Sequence, residues 1–361
     1  MLSEEVLAKV VAKAKELATH SWEYGTLAEA LLELEDRDLS VYCEDGFPND
    51  KIPWPKIRDA EGLKYASQYI RKDGSETLCE DSTGVADPAS LGVPALLLGQ
   101  HHSEYLLAAK LQAEYLLNKA PRYEGKAISH RKDVEEVWAD FIYMVPPFLA
   151  MYAVSVDDYN IMKRAVKECE VYRDILMDSD GTGLWCHIAG PHNADAGFWC
   201  TGNAWVAAGL TRVLATLRRW KLTSNGSELE EIIRLMLFDL IDRVVSADLH
   251  RHEEELLPNY FCSEDEEPWF GDAAGTALLA SVVWRLMSMY PGHFHAYEGR
   301  YTEWAKLKSV AVFKCVNPKT GIARPAVNSL KHAQREPLMT GNPEAQAFVI
   351  LLWAAIRDYS D

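Results

Sequence analysis

The residue best suited to chemistry in this sequence is Asp140, which lies in the apolar segment 137–148, VWADFIYMVPPF. An unpaired carboxylate in such surroundings is costly, so its presence there requires a reason. Burial raises the pKa of a carboxyl group, and a second carboxylate nearby raises it further. We therefore expect Asp140, with Asp87 beside it, to be a proton donor that works near neutral pH. Asp87 precedes Pro88, which is also typical of a helix N-cap, and the two roles are compatible.

Aromatic and polar residues that favour sugar binding recur near the predicted starts of helices. Trp and Tyr rings stack on the apolar faces of pyranose rings, while polar groups bind the sugar hydroxyls. The alternative is a purely structural role, in which the Trp residues plug the end of a helical barrel and each histidine only stabilises the fold. The group comprises Trp22, Tyr24, Asp87, His130, Trp138, Asp140, His187, Trp199, Trp205 and Trp269.

Acidic residues outnumber basic residues in this chain by 54 to 37. The most basic triplet near the group above is His130 with Arg131 and Lys132, which would attract a carboxylated sugar to an otherwise acidic protein. The histidine pairs 250/252 and 293/295 have no convincing third ligand in the sequence, so we expect no metal site.

Helical periodicity dominates the chain and strand-like alternation is scarce, which predicts an all-α protein of about twelve helices. One of these helices is predicted near 133–152, with Asp140 inside it. Six helical hairpins closed into an (α/α)6 barrel would bring every second helix start to one face. No linker divides the sequence, so residues 1–361 are expected to form a single domain. Junctions between a loop and an inner helix recur about every 64 residues, at Tyr24, Asp87, Asp140, Gly202, Asp272 and Glu344.

The composition excludes several classes of protein. A formal charge of −17 opposes binding to nucleic acid. No apolar run is long enough to span a membrane, and the seven scattered cysteines indicate neither a disulfide framework nor a zinc site. The N-terminus predicts an amphipathic helix rather than a secretory signal, which favours a cytoplasmic protein unless a signal peptide has been removed before residue 1.

Several of these segments resemble the unsaturated rhamnogalacturonyl and unsaturated glucuronyl hydrolases of glycoside hydrolase family 105 and the related family 88. The resemblance runs from about Trp22 to Tyr359. Its most specific parts are 137–148, which is similar to the family's Trp-x-Asp-Gly-Leu-Tyr-Met segment, 183–187 (GLWCH) and 198–205 (FWCTGNAW). Supporting segments are 22–25 (WEYG), 128–130 (ISH) and 342–348 (NPEAQAF).

The resemblance implies an enzyme that removes a 4,5-unsaturated uronic acid from the non-reducing end of oligosaccharides left by polysaccharide lyases, without a cofactor. The family's chemistry is hydration of a vinyl ether. Asp140 matches the catalytic acid, which would protonate C4 and then, as carboxylate, activate water for attack at C5. The resulting hemiketal rearranges and expels the remaining sugar. Asp87 matches the second family carboxylate, which would hold the sugar and tune Asp140.

By the same matching, Tyr24, His130 and His187 would contact the unsaturated sugar, and the indoles at 199 and 205 would stack on it. The sequence departs from the family at 200–201, where Cys-Thr replaces Gly-Arg. Thr cannot make the bidentate contact of a guanidinium with a carboxylate. The substrate carboxylate would then be bound by other groups, such as Arg131, Lys132 or Arg324, or the preferred substrate would differ. The predicted substrate-binding residues are Trp22, Tyr24, His130, His187, Trp199, Thr201, Gly202 and Trp205.

Other functions fit the same fold. A conventional inverting glycosidase would act on saturated oligosaccharides and would need a second carboxylate across the pocket. A catalytically inert sugar-binding protein would be compatible with the change at Thr201. A helical terpene cyclase is disfavoured because the sequence has no Asp-Asp-x-x-Asp cluster.

Overall fold

The computed structural model describes residues 1–54, 60–178, 182–220, 226–248, 255–261, 267, 269–294 and 299–360. This part of the chain is mostly helical. Its helices are α1 (Glu4–Leu17), α2 (Ser21–Glu35), α3 (Glu61–Ser67), α4 (Gly92–Gly99), α5 (Ser103–Asn118), α6 (Phe141–Met144), α7 (Pro146–Val156), α8 (Tyr159–Leu176), α9 (Cys200–Arg219), α10 (Gly226–Asp248), α11 (Ala273–Met289), α12 (Pro291–Phe294), α13 (Arg300–Lys314) and α14 (Pro343–Ser360).

The helices form two concentric rings. In the inner ring, α2 contacts α4, followed by α7, α9, α11 and α14, and α14 returns to contact α2. The outer helices α1, α3, α5, α8, α10 and α13 each lie against this ring. The predicted (α/α)6 barrel of six helical hairpins is therefore confirmed.

The sequence of each helix explains its ring. In the outer helix α8 the buried residues recur every three or four positions, which leaves one face for solvent. In the inner helix α2 every side chain from Gly25 to Leu34 is buried. Small residues allow close packing: a Cβ at Gly209 of α9 would lie 2.0 Å from the carbonyl oxygen of Ile142 in α6.

The inner helices run in the same direction. At their N-terminal ends, Trp22 of α2 donates its indole N–H to Glu344 of α14. At the opposite end, Glu33 of α2 forms ion pairs with Arg212 of α9 and Arg285 of α11. The N-terminal ends therefore meet on one face, which we call the rim.

Short antiparallel ladders join the loops above the rim. The strands are β1 (Arg122–Tyr123), β2 (Ala127–Ile128), β3 (Val137–Trp138), β4 (Ile188–Ala189), β5 (Phe198–Trp199) and β6 (Tyr260–Phe261). They pair as β1 with β2, β3 with β4, and β5 with β6. The β3–β4 and β5–β6 ladders link loops that precede different inner helices, which fixes those loops relative to one another, whereas β1 and β2 form a hairpin within one loop.

The predicted helix near 133–152 is wrong in its first half. Residues 137–138 form β3, and the helix begins only at Phe141. It is interrupted at Val145, where Pro146 and Pro147 have no N–H to continue its hydrogen bonds. Asp140 consequently lies in the turn before α6 rather than inside a helix.

At the far end of the barrel, carboxylates and guanidinium groups alternate in what we call the arginine layer: Glu29, Glu33, Arg212, Arg285 and Asp358. Arg212 lies 2.9 Å from Glu29, Arg285 lies 2.8 Å from Glu33, and Arg285 also pairs with Asp358. All of these side chains are buried or nearly so. Each charge therefore has an opposite charge in contact.

Within the described ranges no helix has the length and apolar character needed to cross a bilayer. The same residues contain no disulfide. The histidines at 250, 252 and 295, considered above as metal ligands, lie outside the described residues, as does Cys262.

Candidate active site

The rim gathers the predicted junction residues from separate inner helices. Trp22 belongs to the first turn of α2, and Glu344 to the first turn of α14. Asp87 begins a 3-10 helix, 87–91, that leads into α4. Asp140 directly precedes α6, and Asp272 caps α11.

Asp140 is a partly exposed carboxylate at this end. Its side chain retains 18% exposure, and its Oδ2 lies 3.4 Å from Nε2 of the buried His187. The two residues are positioned by the β3–β4 ladder, in which Trp138 pairs with Ile188. The backbone N–H of Ala139 also donates to the carbonyl of His187. The ladder thus holds acid and imidazole at a fixed separation.

His187 makes a second contact on its other nitrogen. Nδ1 lies 3.1 Å from Oδ2 of Asp195, and the Tyr260 hydroxyl donates to the same oxygen at 2.6 Å. The N–H of Gly197 donates to the other carboxylate oxygen at 2.9 Å. The ring of Trp199 packs against the imidazole with centroids 4.4 Å apart. His187 is therefore clamped between two carboxylates.

One group of side chains near the pocket has the spacing of a metal site. Ligand atoms of His187, Asp195 and His332 lie within 4.8 Å of one another. However, Oδ2 of Asp195 already accepts hydrogen bonds from His187 and Tyr260. These hydrogen bonds account for the arrangement without an ion.

The protonation states follow from these contacts. Burial alone raises the pKa of Asp140, but the hydrogen bond and charge of His187 outweigh it and lower that pKa. Burial lowers the pKa of His187, and the carboxylates of Asp140 and Asp195 outweigh it and raise that pKa. Burial opposes ionisation of Asp195, yet His187 and Tyr260 lower its pKa to about 2. At neutral pH Asp140 and Asp195 are therefore carboxylates, and their charges favour the protonated form of His187.

The surroundings of Asp87 raise its pKa, whereas those of Asp140 lower it. Asp87 is buried, and the only ion-pair contact its carboxylate makes within the described residues is to His130, 3.4 Å away. Burial, followed by the charges of Asp81 and Asp140, raises the pKa of Asp87 well above its usual range. Burial also lowers the pKa of His130 to about 4, so this imidazole is neutral.

The expected division between the two acids is therefore reversed. We predicted a raised pKa for Asp140, but the raised pKa belongs to Asp87, because Asp140 has a charged histidine beside it and Asp87 has a neutral one. The N-cap prediction for Asp87 is also wrong: the cap position is Ala86, and no side chain caps this helix.

Trp138 forms the wall between the two histidines. Its ring stacks on His130 at 5.1 Å and meets the edge of His187 at 5.7 Å. The guanidinium of Arg131 lies 5.8 Å from the same ring, and its Nε is buried without a hydrogen-bond partner. Its charge lowers the pKa of Asp87. Arg131 is thus the predicted cation that lies nearest the rim carboxyls.

The other two predicted cations are placed differently. Lys132 donates its ammonium to the carbonyl of Asp81 at 2.8 Å. Arg324 is exposed and precedes Pro325, whose carbonyl accepts from the start of α11.

Trp22 and Tyr24 occupy different surroundings although they are two residues apart. Trp22 is half-buried and donates to the buried carboxyl of Glu344 at 2.9 Å. Tyr24 stacks on Tyr69 with centroids 3.7 Å apart. The structure therefore places Trp22 toward the rim carboxyls and Tyr24 against the aromatic residue that follows α3.

The expected stacking role of Trp199 and Trp205 is contradicted. Trp199 is 1% exposed and donates its indole N–H to Asn259. Trp205 is fully buried between Tyr143 and Phe348. Neither ring has an open face for a sugar, so the barrel-plug alternative describes Trp205, while Trp199 supports His187.

Thr201 and Gly202 are buried as well. The hydroxyl of Thr201 donates to Asp272 at 2.7 Å. A Cβ at Gly202 would lie 3.1 Å from the ring of Trp199 and 3.5 Å from Ala139. Both positions therefore pack the first turn of α9 against its neighbours, and they reach a ligand only indirectly.

Four residues of the rim were not predicted as site residues. Asp195, Tyr260 and His332 surround His187 from separate loops. Glu344 is buried, and burial, with the charges of Glu23 and Asp140, raises its pKa well above the usual range. Glu344 was noted only as a helix junction; its signal was a carboxyl in the first turn of an apolar inner helix.

This arrangement can transfer protons to and from a ligand. It offers the partly exposed carboxylate of Asp140, an adjacent imidazole whose pKa is raised, and two buried carboxyl groups whose pKa values are raised well above the usual range. A separated set of acids and bases of this kind suits general acid–base catalysis.

Comparison with known proteins agrees with this description. Residues 54–243 match the family model Glycosyl Hydrolase Family 88. Over 119 residues the chain is 24% identical to an unsaturated rhamnogalacturonyl hydrolase of Bacillus subtilis (strain 168), an alignment that spans 30% of this chain and only 34% of that relative.

Solved structures show the same fold over nearly the whole chain. A possible member of the GH105 family from Klebsiella pneumoniae subsp. pneumoniae superposes with a TM-score of 0.74 at 14% identity, covering 99% of this chain and 95% of the other. An unsaturated glucuronyl hydrolase specific for heparin superposes with a TM-score of 0.63 at 12% identity, covering 99% and 96%. At such low identity these likenesses establish the barrel alone.

Proposed function

Because the chain belongs to glycosyl hydrolase family 88, we propose that it removes a 4,5-unsaturated uronic acid from the non-reducing end of an oligosaccharide by hydrating the double bond. Membership of the family makes the chain a glycoside hydrolase. The observation that carries the finer proposal is the contact of Asp140 with His187, since one accessible acid with a proton-bearing neighbour suits a single-acid hydration.

In the proposed reaction Asp140 delivers a proton to C4 of the sugar. The carboxylate that remains then activates a water molecule, whose oxygen bonds to C5. The product is a hemiketal, which opens and releases the rest of the oligosaccharide. Entry of the anionic uronate raises the pKa of Asp140 by charge repulsion, which favours the protonated form when it is needed. Asp87, whose pKa is raised well above its usual range, donates a hydrogen bond to the sugar in its protonated form.

Arg131 is the proposed partner of the substrate carboxylate. Its guanidinium lies against Trp138, and its buried Nε has no hydrogen-bond partner. Its one close carboxylate is Asp133 at 3.6 Å, which leaves donors for a bidentate contact. Lys132 is a weaker candidate because its ammonium already binds the carbonyl of Asp81.

The proposal is tested by following the ultraviolet absorbance of the double bond in lyase-generated unsaturated disaccharides. We expect the absorbance to fall with the wild-type protein. Asp140→Asn should reduce kcat/KM by about 10²- to 10⁴-fold. Asp157→Asn, an exposed substitution at the C-terminal cap of α7, is the matched control and should retain full activity. Constant absorbance with every unsaturated uronide, or a fully active Asp140→Asn, would refute the proposal.

Glu344 favours a second candidate, a conventional inverting glycosidase. An inverting enzyme needs a protonated carboxyl on one side of the pocket and a carboxylate on the other. The pKa of Glu344 is raised well above its usual range and that of Asp140 is lowered, which favours those protonation states. This candidate predicts release of saturated sugars, with Glu344→Gln as inactive as Asp140→Asn, whereas the hydration mechanism predicts no activity on saturated substrates.

A further inference from the structure

We propose that Asp195 is a positioning residue which, with Tyr260, makes His187 the proton store for Asp140. The kinetic part of this inference rests on the proposed function. The contacts of Asp195 with His187 and Tyr260 are a property of the ligand-free protein and can be tested without substrate.

The contacts form a continuous line from the loop to the accessible acid. Tyr260 donates to Asp195 at 2.6 Å, Asp195 lies 3.1 Å from Nδ1 of His187, and Nε2 of His187 lies 3.4 Å from Asp140. Both oxygens of Asp195 are fixed, because Gly197 binds the second one. The first of these contacts belongs to the β6 strand, so the line depends on three separate segments.

The backbone holds Asp195 as firmly as its side chain does. Its N–H donates to the carbonyl of Ile188 at 2.9 Å, and the N–H of Ile188 donates back at 3.0 Å. Because Ile188 follows His187 directly, the carboxylate and the imidazole share one rigid loop. The aspartate therefore sets both the tautomer and the orientation of the ring, the role an aspartate has in a catalytic triad.

The charges of the groups that face His187 favour its protonated form. Four titratable side chains surround it: Asp140, Asp195, His130 and His332. Burial lowers the pKa of His332 to about 4, as it does for His130, so both are neutral at neutral pH. The remaining two are carboxylates, one on each ring nitrogen, and they favour an imidazolium.

This geometry supplies the proton that Asp140 lacks at rest. When the anionic substrate binds, the proton on Nε2 of His187 moves to Oδ2 of Asp140 and from there to C4. Water then adds its oxygen to C5, and its released proton returns through Asp140 to His187. One water molecule is consumed, and both residues end in their starting states. Asp195 neither gains nor loses a proton, since its charge only stabilises the imidazolium.

The direct test is an NMR titration of the imidazole of His187 in the ligand-free protein. We expect wild-type His187 to hold its proton above the usual histidine pKa. Asp195→Asn should lower that titration point by about 1 to 3 pH units, since it removes one of the two facing charges. Tyr260→Phe keeps the charge but removes a donor from Asp195, so it should move the titration in the opposite direction.

The kinetic test uses the same variants with an unsaturated disaccharide. Loss of the His187 proton sets the alkaline limb of the kcat profile, so Asp195→Asn should move that limb to lower pH and reduce kcat by on the order of 10²-fold, with KM little changed. Tyr260→Phe should move the limb to higher pH. Asp157→Asn should move neither. A purely structural role for Asp195 predicts lower kcat without movement of the limb.

Several outcomes would overturn the inference. One is a His187 titration that is unchanged in Asp195→Asn. Another is activity that is lost on chelation and restored by Zn²⁺, because an ion between His187 and Asp195 would replace the proton. If Asp195→Asn does not fold, Tyr260→Phe retains the Asp195 carboxylate, and the direction in which it moves the His187 titration still tests the inference. If the wild type leaves every unsaturated uronide intact, the proposed function fails while the NMR titration still tests the proton store.

Discussion

The two ends of the barrel treat buried carboxyl groups in opposite ways. In the arginine layer each carboxylate contacts a guanidinium, as Asp358 contacts Arg285. At the rim, Asp87, Asp140 and Glu344 have no Lys or Arg within ion-pair distance among the residues the structure describes, and two of them contact histidines instead. The same type of side chain on the same ring of helices therefore meets two different environments.

The difference separates what holds the barrel together from what performs the chemistry. A paired carboxylate stays charged and ties neighbouring helices, as the lowered pKa of Asp358 shows: burial raises it, but Arg285 outweighs burial. Glu29 is intermediate, because burial raises its pKa although Arg212 is 2.9 Å away. An unpaired carboxyl keeps its proton or exchanges it with a histidine, which makes it reactive and costly.

The largest expected effect comes from breaking the arginine layer. Arg285→Met leaves Glu33 and Asp358 buried without this partner, so the free energy of unfolding should fall by about 3–5 kcal/mol. Urea unfolding measures the loss, and activity per folded molecule should remain. The matched control is Arg234→Met on the surface of α10, which should cost less than about 1 kcal/mol. Equal stability of the two variants would break the comparison.

A smaller effect tests whether each end of the barrel raises or lowers the pKa of its carboxyl groups. Asp87 keeps its proton to a higher pH in the folded protein than in the unfolded chain. Its carboxyl group therefore does not reduce the free energy of unfolding below about pH 4, and it reduces that free energy increasingly as the pH rises. Asp87→Asn should therefore raise stability at pH 7 by about 1.4 kcal/mol per unit of pKa shift. Asp358 has the reverse sign: its contribution is present above about pH 4 and disappears on acidification, so Asp358→Asn should destabilise at pH 7.

Urea unfolding of both variants at pH 4 and pH 7 would measure these changes. If Asp87→Asn and Asp358→Asn changed the free energy of unfolding in the same direction, the two ends of the barrel would not differ in how they shift the pKa of their carboxyl groups. Asp157→Asn again serves as the neutral control.

The smallest expected effect concerns the one arginine that approaches the rim. Arg131→Met should raise KM for an unsaturated uronide by about 10-fold, the equivalent of one charged contact, with less change in kcat. Arg131→Lys should lose part of this affinity, because an ammonium cannot bind bidentately. An unchanged KM in Arg131→Met would assign the carboxylate contact to another cation.

Much of the fold could be predicted from the chain. The spacing of loop-to-helix junctions placed Asp87, Asp140 and Glu344 at one end of a ring, and the structure brings them there. Helical periodicity is a local signal and survives folding. The β3 strand was missed because its two residues become a strand only by pairing with Ile188 and Ala189, a contact that no local pattern encodes.

The site was predicted less completely than the fold. Residue type identified Asp140 and His187, but it could not show that Trp205 faces the core, since α9 is buried on every side from Cys200 to Leu217 and its sequence marks no face for a ligand. Asp195 and His332 come from long loops, which carry no period that would bring them to His187. The pKa order of the two acids depends on which histidine each one touches, and that is settled only by tertiary structure.

The buried bond between Thr201 and Asp272 couples two distant positions of the sequence. Asp272 accepts from Thr201, Gly275, Ala274 and Val327, so its carboxylate is fully occupied in fastening α9, α11 and the chain before α14. A guanidinium at 201 would need space and partners that this cluster has already taken. An arginine at 201 would therefore be tolerated only together with a change at 272.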